Sequence, residues 1–231
     1  MTTPLVRDPH HGSGPAGRTL VLVRHGESAW NASRRFQGHV GEGLSARGHA
    51  QAAATAAHLG ERFPGPWHVV RSDLTRVAET AAPLVERTGA TEAVDPRWRE
   101  LDMGAWSGRT YDEIARTDPE GLAAWRGFRD LDVMERESYA TFRARVSAAL
   151  DDARHPGDDG GVTVVVTHGG TVRIAVAAVL GLPPGSEHVL APARNTSLTV
   201  LADTDGALRL RSYNEGEHLA ALVGTEAALP G

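Results

Sequence analysis

Lysine and cysteine are both missing from the 231 residues, and all 24 basic side chains other than histidine are arginine. Without cysteine there are no disulfides, no thiolate nucleophile and no zinc–thiolate site, a composition compatible with a reducing cytoplasm. Without lysine there is no Walker-type P-loop, no Schiff base and no lysine general base. Any phosphate site must therefore be built from arginine, histidine and backbone N–H groups. No run approaches the roughly 20 apolar residues that span a membrane. The first 18 residues, "MTTPLVRDPHHGSGPAGR", lack the apolar stretch of a secretory signal and are expected to be a flexible tail. A formal net charge of −5 argues against a nucleic-acid partner, which calls for a basic surface. No membrane partner is expected.

What is present is one core's worth of alternating elements. Apolar residues make up 41% of the chain, as in a soluble globular protein. "TLVLV" (19–23) and "VTVVVT" (162–167) are continuously apolar, as strands buried on both faces are, and "WHVVR" (67–71) is similar. "TSLTVLA" (196–202) and "LRLRSY" (208–213), joined by turn residues, predict a hairpin at a sheet edge. Helices are predicted over 45–63 with Ser45 as cap, over 73–89 from Asp73 to Gly89, after Thr110 with Glu113 as capping box, after Asp118-Pro119, from Ser138 onward, and over 170–181. Strands alternating with helices predict an α/β three-layer sandwich with a mostly parallel central sheet. The segment from about 95 to 140, with helices and no strong strand, reads as a helical cap insertion over the sheet's edge.

Two strands end alike. One runs into Arg24-His25-Gly26 and the other into Thr167-His168-Gly169-Gly170, at the start of a helix. In open parallel sheets, ligands sit beyond the carboxyl ends of the strands. A helix N-terminus adds free N–H donors there. Arg76, early in the helix that follows 67–71, falls on the same side. The chemistry-bearing set is then Arg24, His25, Arg76 and His168, a cationic pocket suited to phosphate through arginine's planar fork.

"LVRHGESAWNASRRFQGH", "LSARGHAQA", "RSDLTRVAETA", "RELDMGAWSG" and "VVVTHGGTVRIAV" occur in that order. Together they resemble the histidine phosphatase superfamily, in its phosphoglycerate-mutase-like branch. The resemblance runs from about residue 19 to 218 and implies one domain over 19–225. It implies that His25 is a nucleophile that becomes phosphohistidine. It implies that Arg24, Arg76 and His168 bind phosphoryl oxygens, assisted by Asn31 and the Gly169 N–H. Glu100 matches the family's proton donor, and ion pairing with Arg97 or Arg99 is the alternative reading of that residue. No metal and no cofactor are expected. Glu27 and Ser28 are expected to shape their loop, and Arg173 is read equally as a site residue or a salt-bridge partner.

Two departures from the family pattern fall near the substrate entrance. Gly43 stands where many members have proline, which predicts a more flexible loop, and "MERES" (134–138) replaces the usual "GGES". The activity implied is a metal-independent phosphatase acting on a small phosphorylated metabolite, with a cofactor-dependent phosphoglycerate mutase as runner-up and a catalytically dead phospho-ligand binder third. Acids outnumber bases eight to four in 110–137, which argues against a mutase's polyanionic substrate. Oligomeric state is open, a homodimer included.

Overall fold

A computed structural model of the chain describes residues 18–63, 65, 67–130, 137–154, 161–204 and 206–222. The expected tail lies outside these residues apart from Arg18, whose carbonyl accepts from the Asp203 N–H at 2.9 Å.

Strands β1 (Thr19–Arg24), β2 (Trp67–Arg71), β3 (Thr91–Val94), β4 (Val162–Thr167), β5 (Leu198–Thr204) and β6 (Ala207–Glu215) form one sheet in the order β3-β2-β4-β1-β5-β6. Pairing from β3 through β1 is parallel, while β5 runs antiparallel to β1 and β6 antiparallel to β5. The central strands β1 and β4 are the ones that read as continuously apolar, because both of their faces are covered. Strand β3 was not expected. Its four residues, Thr-Glu-Ala-Val, are all exposed at the sheet edge, so no hydrophobic pattern marks them.

Helices α1 (Ala29–Ala32), α2 (Ala46–Arg62), α3 (Thr75–Thr88), α4 (Tyr111–Thr117), α5 (Pro119–Arg126), α6 (Tyr139–Ala153) and α7 (Gly169–Val179) complete the fold. Alternate residues of the sheet serve opposite layers. Val21, Val23, Val69, Val164 and Val166 pack against Ala56 and Leu59 of α2 and Val77, Ala81 and Leu84 of α3. Leu20, Leu22, Val165 and Leu201 pack with Phe142 and Val146 of α6 and Val172, Ile174 and Val176 of α7. Each fully buried Val or Leu contributes roughly 1.5–3 kcal/mol relative to exposure. The caps at Ser45, Thr110 with Glu113, Asp118 and Ser138 form as the sequence predicts. Helix α3 differs. It begins at Thr75 with Leu74 as cap, because the Asp73 carboxylate is taken by Arg99 Nε at 2.7 Å.

Trp98, Leu101, Met103, Trp106, Ile114 and Leu122 are buried in the same apolar cluster as α6 and α7. This segment therefore lies on a face of the sheet and not over its edge. The Thr167 hydroxyl ties it down by donating to the Trp98 carbonyl at 2.7 Å. The Gly43 loop is anchored as well. A side chain at Gly43 would collide with the Glu79 carboxylate, which instead accepts the Leu44 N–H at 2.6 Å.

Candidate active site

Strand order explains why two histidines meet. From β1 the chain passes into the α2/α3 layer, whereas from β4 it passes into the α6/α7 layer. The two exits diverge and open a crevice between neighbouring strand tips. In the register, Arg24 lies opposite Thr167, so His25 and His168 each stand one residue past the sheet, side by side. The His25 N–H donates to the Thr167 carbonyl at 2.8 Å, and the two rings meet edge-on with centroids 5.2 Å apart.

Arg76 lies between the rings. Its Nε donates to His25 Nε2 at 3.3 Å and its Nη2 to His168 Nδ1 at 3.1 Å. The same guanidinium donates to the Gly38 carbonyl at 2.8 Å and the Val40 carbonyl at 3.2 Å, which fixes its plane. Arginine only donates, so both ring nitrogens facing it carry lone pairs. The remaining ring protons are then assigned. His25 Nδ1–H donates to the Gly26 carbonyl at 2.7 Å, and His168 Nε2–H to the Ser72 hydroxyl oxygen at 3.1 Å.

Electrostatics keeps both rings neutral. Burial, and then the Arg76 and Arg24 cations, hold the His25 imidazolium well below the usual histidine range. Burial, Arg76 and His25 do the same to His168. Burial also pushes Arg76 down to about 10, which leaves it charged at neutral pH.

Arg24 and Gly169 are one unit. The Arg24 side chain lies against the α7 N-terminus, with Nε 3.3 Å from where a Cβ on Gly169 would stand, and its Nη1 donates to the Ala193 carbonyl at 2.6 Å. Glu100 reaches the same helix end. Its Oε2 accepts the Gly170 N–H and its Oε1 the Leu101 N–H, both at 2.9 Å. The alternative of ion pairing is not what the structure shows: Arg97 pairs with Asp95 and Asp152, and Arg99 with Asp73. Asn31 joins the site through a neighbour. Asn195 Nδ2 donates to the His25 carbonyl at 3.0 Å and to Asn31 Oδ1 at 3.3 Å.

Glu27 and Ser28 shape the loop. Glu27 Oε1 accepts the Ser45 hydroxyl at 2.8 Å, and Ser28 caps α1. Arg173 stands near enough to Glu100 to feel its charge. It donates to the Leu190 carbonyl at 2.6 and 3.0 Å and stacks on Phe128. Sequence reasoning missed the Gly26 carbonyl, Ser72 and Asn195. Asn195 belongs to the polar run "RNTS" ahead of β5, where the next residue, Thr196, is left-handed (φ 52°). No one-dimensional pattern reports such a turn.

Residues 20–216 match the sequence model of the histidine phosphatase superfamily (branch 1). The chain belongs to that superfamily. Among relatives of this histidine phosphatase is a probable phosphoglycerate mutase GpmB from an Enterobacter species, 38% identical over 78% of this chain and 82% of the relative. A glucosyl-3-phosphoglycerate phosphatase from Mycolicibacterium vanbaalenii is 37% identical over 80% and 84%. The solved structure of a mycobacterial glucosyl-3-phosphoglycerate phosphatase with VO3 superposes with a TM-score of 0.74 at 35% identity, covering 86% of this chain and all of that one. This histidine phosphatase is a phosphoric monoester hydrolase. No helix among the described residues is long and apolar enough to cross a membrane.

Proposed function

We propose that the enzyme hydrolyses a small phosphomonoester through a phosphohistidine on His25, without a metal. The observation that carries this reading is the Nδ1–H bond to the Gly26 carbonyl. It fixes the ring so that Nε2, the nitrogen with the lone pair, faces the Arg76 guanidinium. Phosphoryl transfer depends mainly on positioning and on charge stabilisation around the equatorial oxygens. Arg24, Arg76 and the Gly169 N–H supply donors there, and Asn31 supports the loop through Asn195. His168, whose proton stands on Nε2 toward Ser72, donates to a phosphoryl oxygen only after that proton moves to Nδ1, the nitrogen beside Arg76. His25 Nε2 attacks phosphorus as the ester P–O bond breaks, and Glu100 in its acid form protonates the leaving oxygen. Water then attacks the phosphohistidine, Glu100 as carboxylate takes its proton, and inorganic phosphate leaves with the free imidazole restored.

In this reading residues 19–225 are one catalytic unit with a cap over about 95–140 and a tail over 1–18. The enzyme works in the cytoplasm on a phosphorylated metabolite and has no nucleic-acid or membrane partner. A homodimer is compatible with it. Glucosyl-3-phosphoglycerate, from the name of the mycobacterial relatives, heads the substrate panel.

The mutase reading is favoured by the GpmB relatives, and counting acids in the cap does not dispose of it. Glu113 and Asp118 cap helices, Asp130 accepts the Tyr139 N–H, and Glu137 is paired with Arg145. These charges have partners and leave little field for a substrate. The test is incubation with 3-phosphoglycerate, with and without 2,3-bisphosphoglycerate, following both products. A phosphatase releases inorganic phosphate without the bisphosphate. Rapid, bisphosphate-dependent formation of 2-phosphoglycerate with little free phosphate would establish the mutase instead.

A further inference from the structure

One arginine outside the pocket spends all its donors on the turn that carries Glu100 and on Glu137 beside it. Arg145 of α6 forms a fork on Glu137, with Nε to Oε1 at 2.6 Å and Nη2 to Oε2 at 2.7 Å. Its Nη1 donates to the carbonyls of Arg97 and Arg99, both at 2.7 Å, and its Nη2 also donates to the carbonyl of Glu100 at 2.8 Å. The guanidinium stacks on Phe142, 4.6 Å from its centroid. Glu137 in turn accepts the Asp102 N–H at 3.4 Å, so the pair grips the Glu100 turn from both sides. His39 Nε2 is the second partner of the Glu100 carbonyl, at 2.8 Å. The Glu100 carboxylate is held at its far end by two N–H groups, one from its own turn and one from α7.

We propose that Arg145, oriented by Glu137, is the positioning residue for the acid Glu100. It gathers three carbonyls of the turn that carries Glu100 and sets where the carboxylate stands against the α7 N-terminus. The inference rests on Glu100 acting as the proton donor. Only arginine suits the task. Its five N–H groups in a rigid plane serve a carboxylate fork and three carbonyls together, whereas lysine offers three donors from a single point. A displacement of about 1 Å in a catalytic group costs on the order of 100-fold in rate. Up to formation of phosphohistidine, the part of the reaction that kcat/KM reports, that loss falls on protonation of the leaving group and therefore on esters that need the proton; the later water step is common to all esters.

The test compares the full chain with Arg145→Lys, Glu137→Gln, Glu100→Gln and the double variant Arg145→Lys/Glu100→Gln. β-Glycerophosphate serves as the alkyl ester and p-nitrophenyl phosphate as the aryl ester, with thermal midpoints recorded for each protein. Arg145→Lys should lower kcat/KM on the alkyl ester by about 10- to 100-fold, with kcat/KM on the aryl ester falling no more than about threefold. In the Glu100→Gln background it should cost the alkyl ester nothing further. Glu137→Gln keeps one acceptor and loosens the fork, so it should show the same selective loss in smaller measure. It carries the test if the lysine variant does not fold. Equal losses on both esters, or full losses that multiply in the double variant, would show that Arg145 only supports the scaffold. If Glu100→Gln is selective and Arg145→Lys is not, the positioning role falls and the acid stands. If Glu100→Gln lowers kcat/KM on both esters alike, Glu100 is not the acid and both readings fall.

Discussion

A proton added to His25 finds no favourable place. Nδ1 already donates to Gly26, and Nε2 faces the Arg76 cation. The acid limb of kcat/KM should therefore fall below the ordinary histidine value of 6.5, because the attacking ring stays neutral to lower pH. The same shift sets the stability. In the unfolded chain both histidines titrate near pH 6.5, while in the folded protein His25 and His168 resist protonation. Below pH 6.5 the unfolded state binds more protons, so stability present at neutral pH is lost on acidification, until the lowered folded values are passed. The slope is up to about 1.4 kcal/mol per pH unit for each ring. Urea midpoints measured from pH 7.5 to 5.5 should show it, and His168→Gln should reduce the slope by about one proton. A slope that the variant leaves unchanged would contradict the assignment. His25→Ala should abolish phosphate release, and His168→Ala should cost roughly 3 kcal/mol of transition-state stabilisation.

Helix α7 meets Glu100 at Gly170, where an added Cβ would overlap Glu100 Oε1. That oxygen is the end of a flexible side chain, so the fold can yield by turning Glu100 aside. Alanine is also the better helix former, by up to about 1 kcal/mol. Gly170→Ala should thus leave the thermal midpoint unchanged or slightly raised, while kcat on an alkyl phosphate drops by at least about tenfold. Retained activity would mean that the carboxylate is not used where it stands. Unfolding would mean that the first turn of α7 tolerates no side chain there.

Across the whole molecule, one side of the core takes in the segment that carries the acid. Trp98, fully buried two residues before Glu100, packs with α6 and α7, and its indole N–H has no hydrogen-bond partner among the described residues. Trp98→Ala should cost about 3–5 kcal/mol. Trp98→Phe should cost under about 1.5 kcal/mol, because it removes that buried donor along with some volume. Chemical denaturation of both variants distinguishes the two outcomes. The pocket's positive charge comes from Arg24 and Arg76, within a chain of net charge −5. Activity should persist in EDTA, since these arginines supply the charge that a metal would otherwise provide. Loss that magnesium or zinc reverses would overturn this.

The strand tips were legible because their information is contiguous. An apolar run ending in Arg24-His25-Gly26, and another ending in His168-Gly169-Gly170, place side chains at a sheet end through covalent connection alone, and helix caps lie within four residues of what they cap. The motifs in their order were enough to name the superfamily. Strand β3 was not legible, because an exposed four-residue edge strand carries no pattern, and the start of α3 falls at Thr75 and not at Asp73 because the partner of Asp73, Arg99, is 26 residues away. The geometry around His25 is of this second kind. Arg76 reaches it from 51 residues away, and Arg145 reaches the Glu100 turn from 45. Such contacts arise only when β4 inserts between β1 and β2 and sends its helix to the opposite face. Local sequence encodes torsions and burial, and the meeting of distant groups is fixed by strand order and packing.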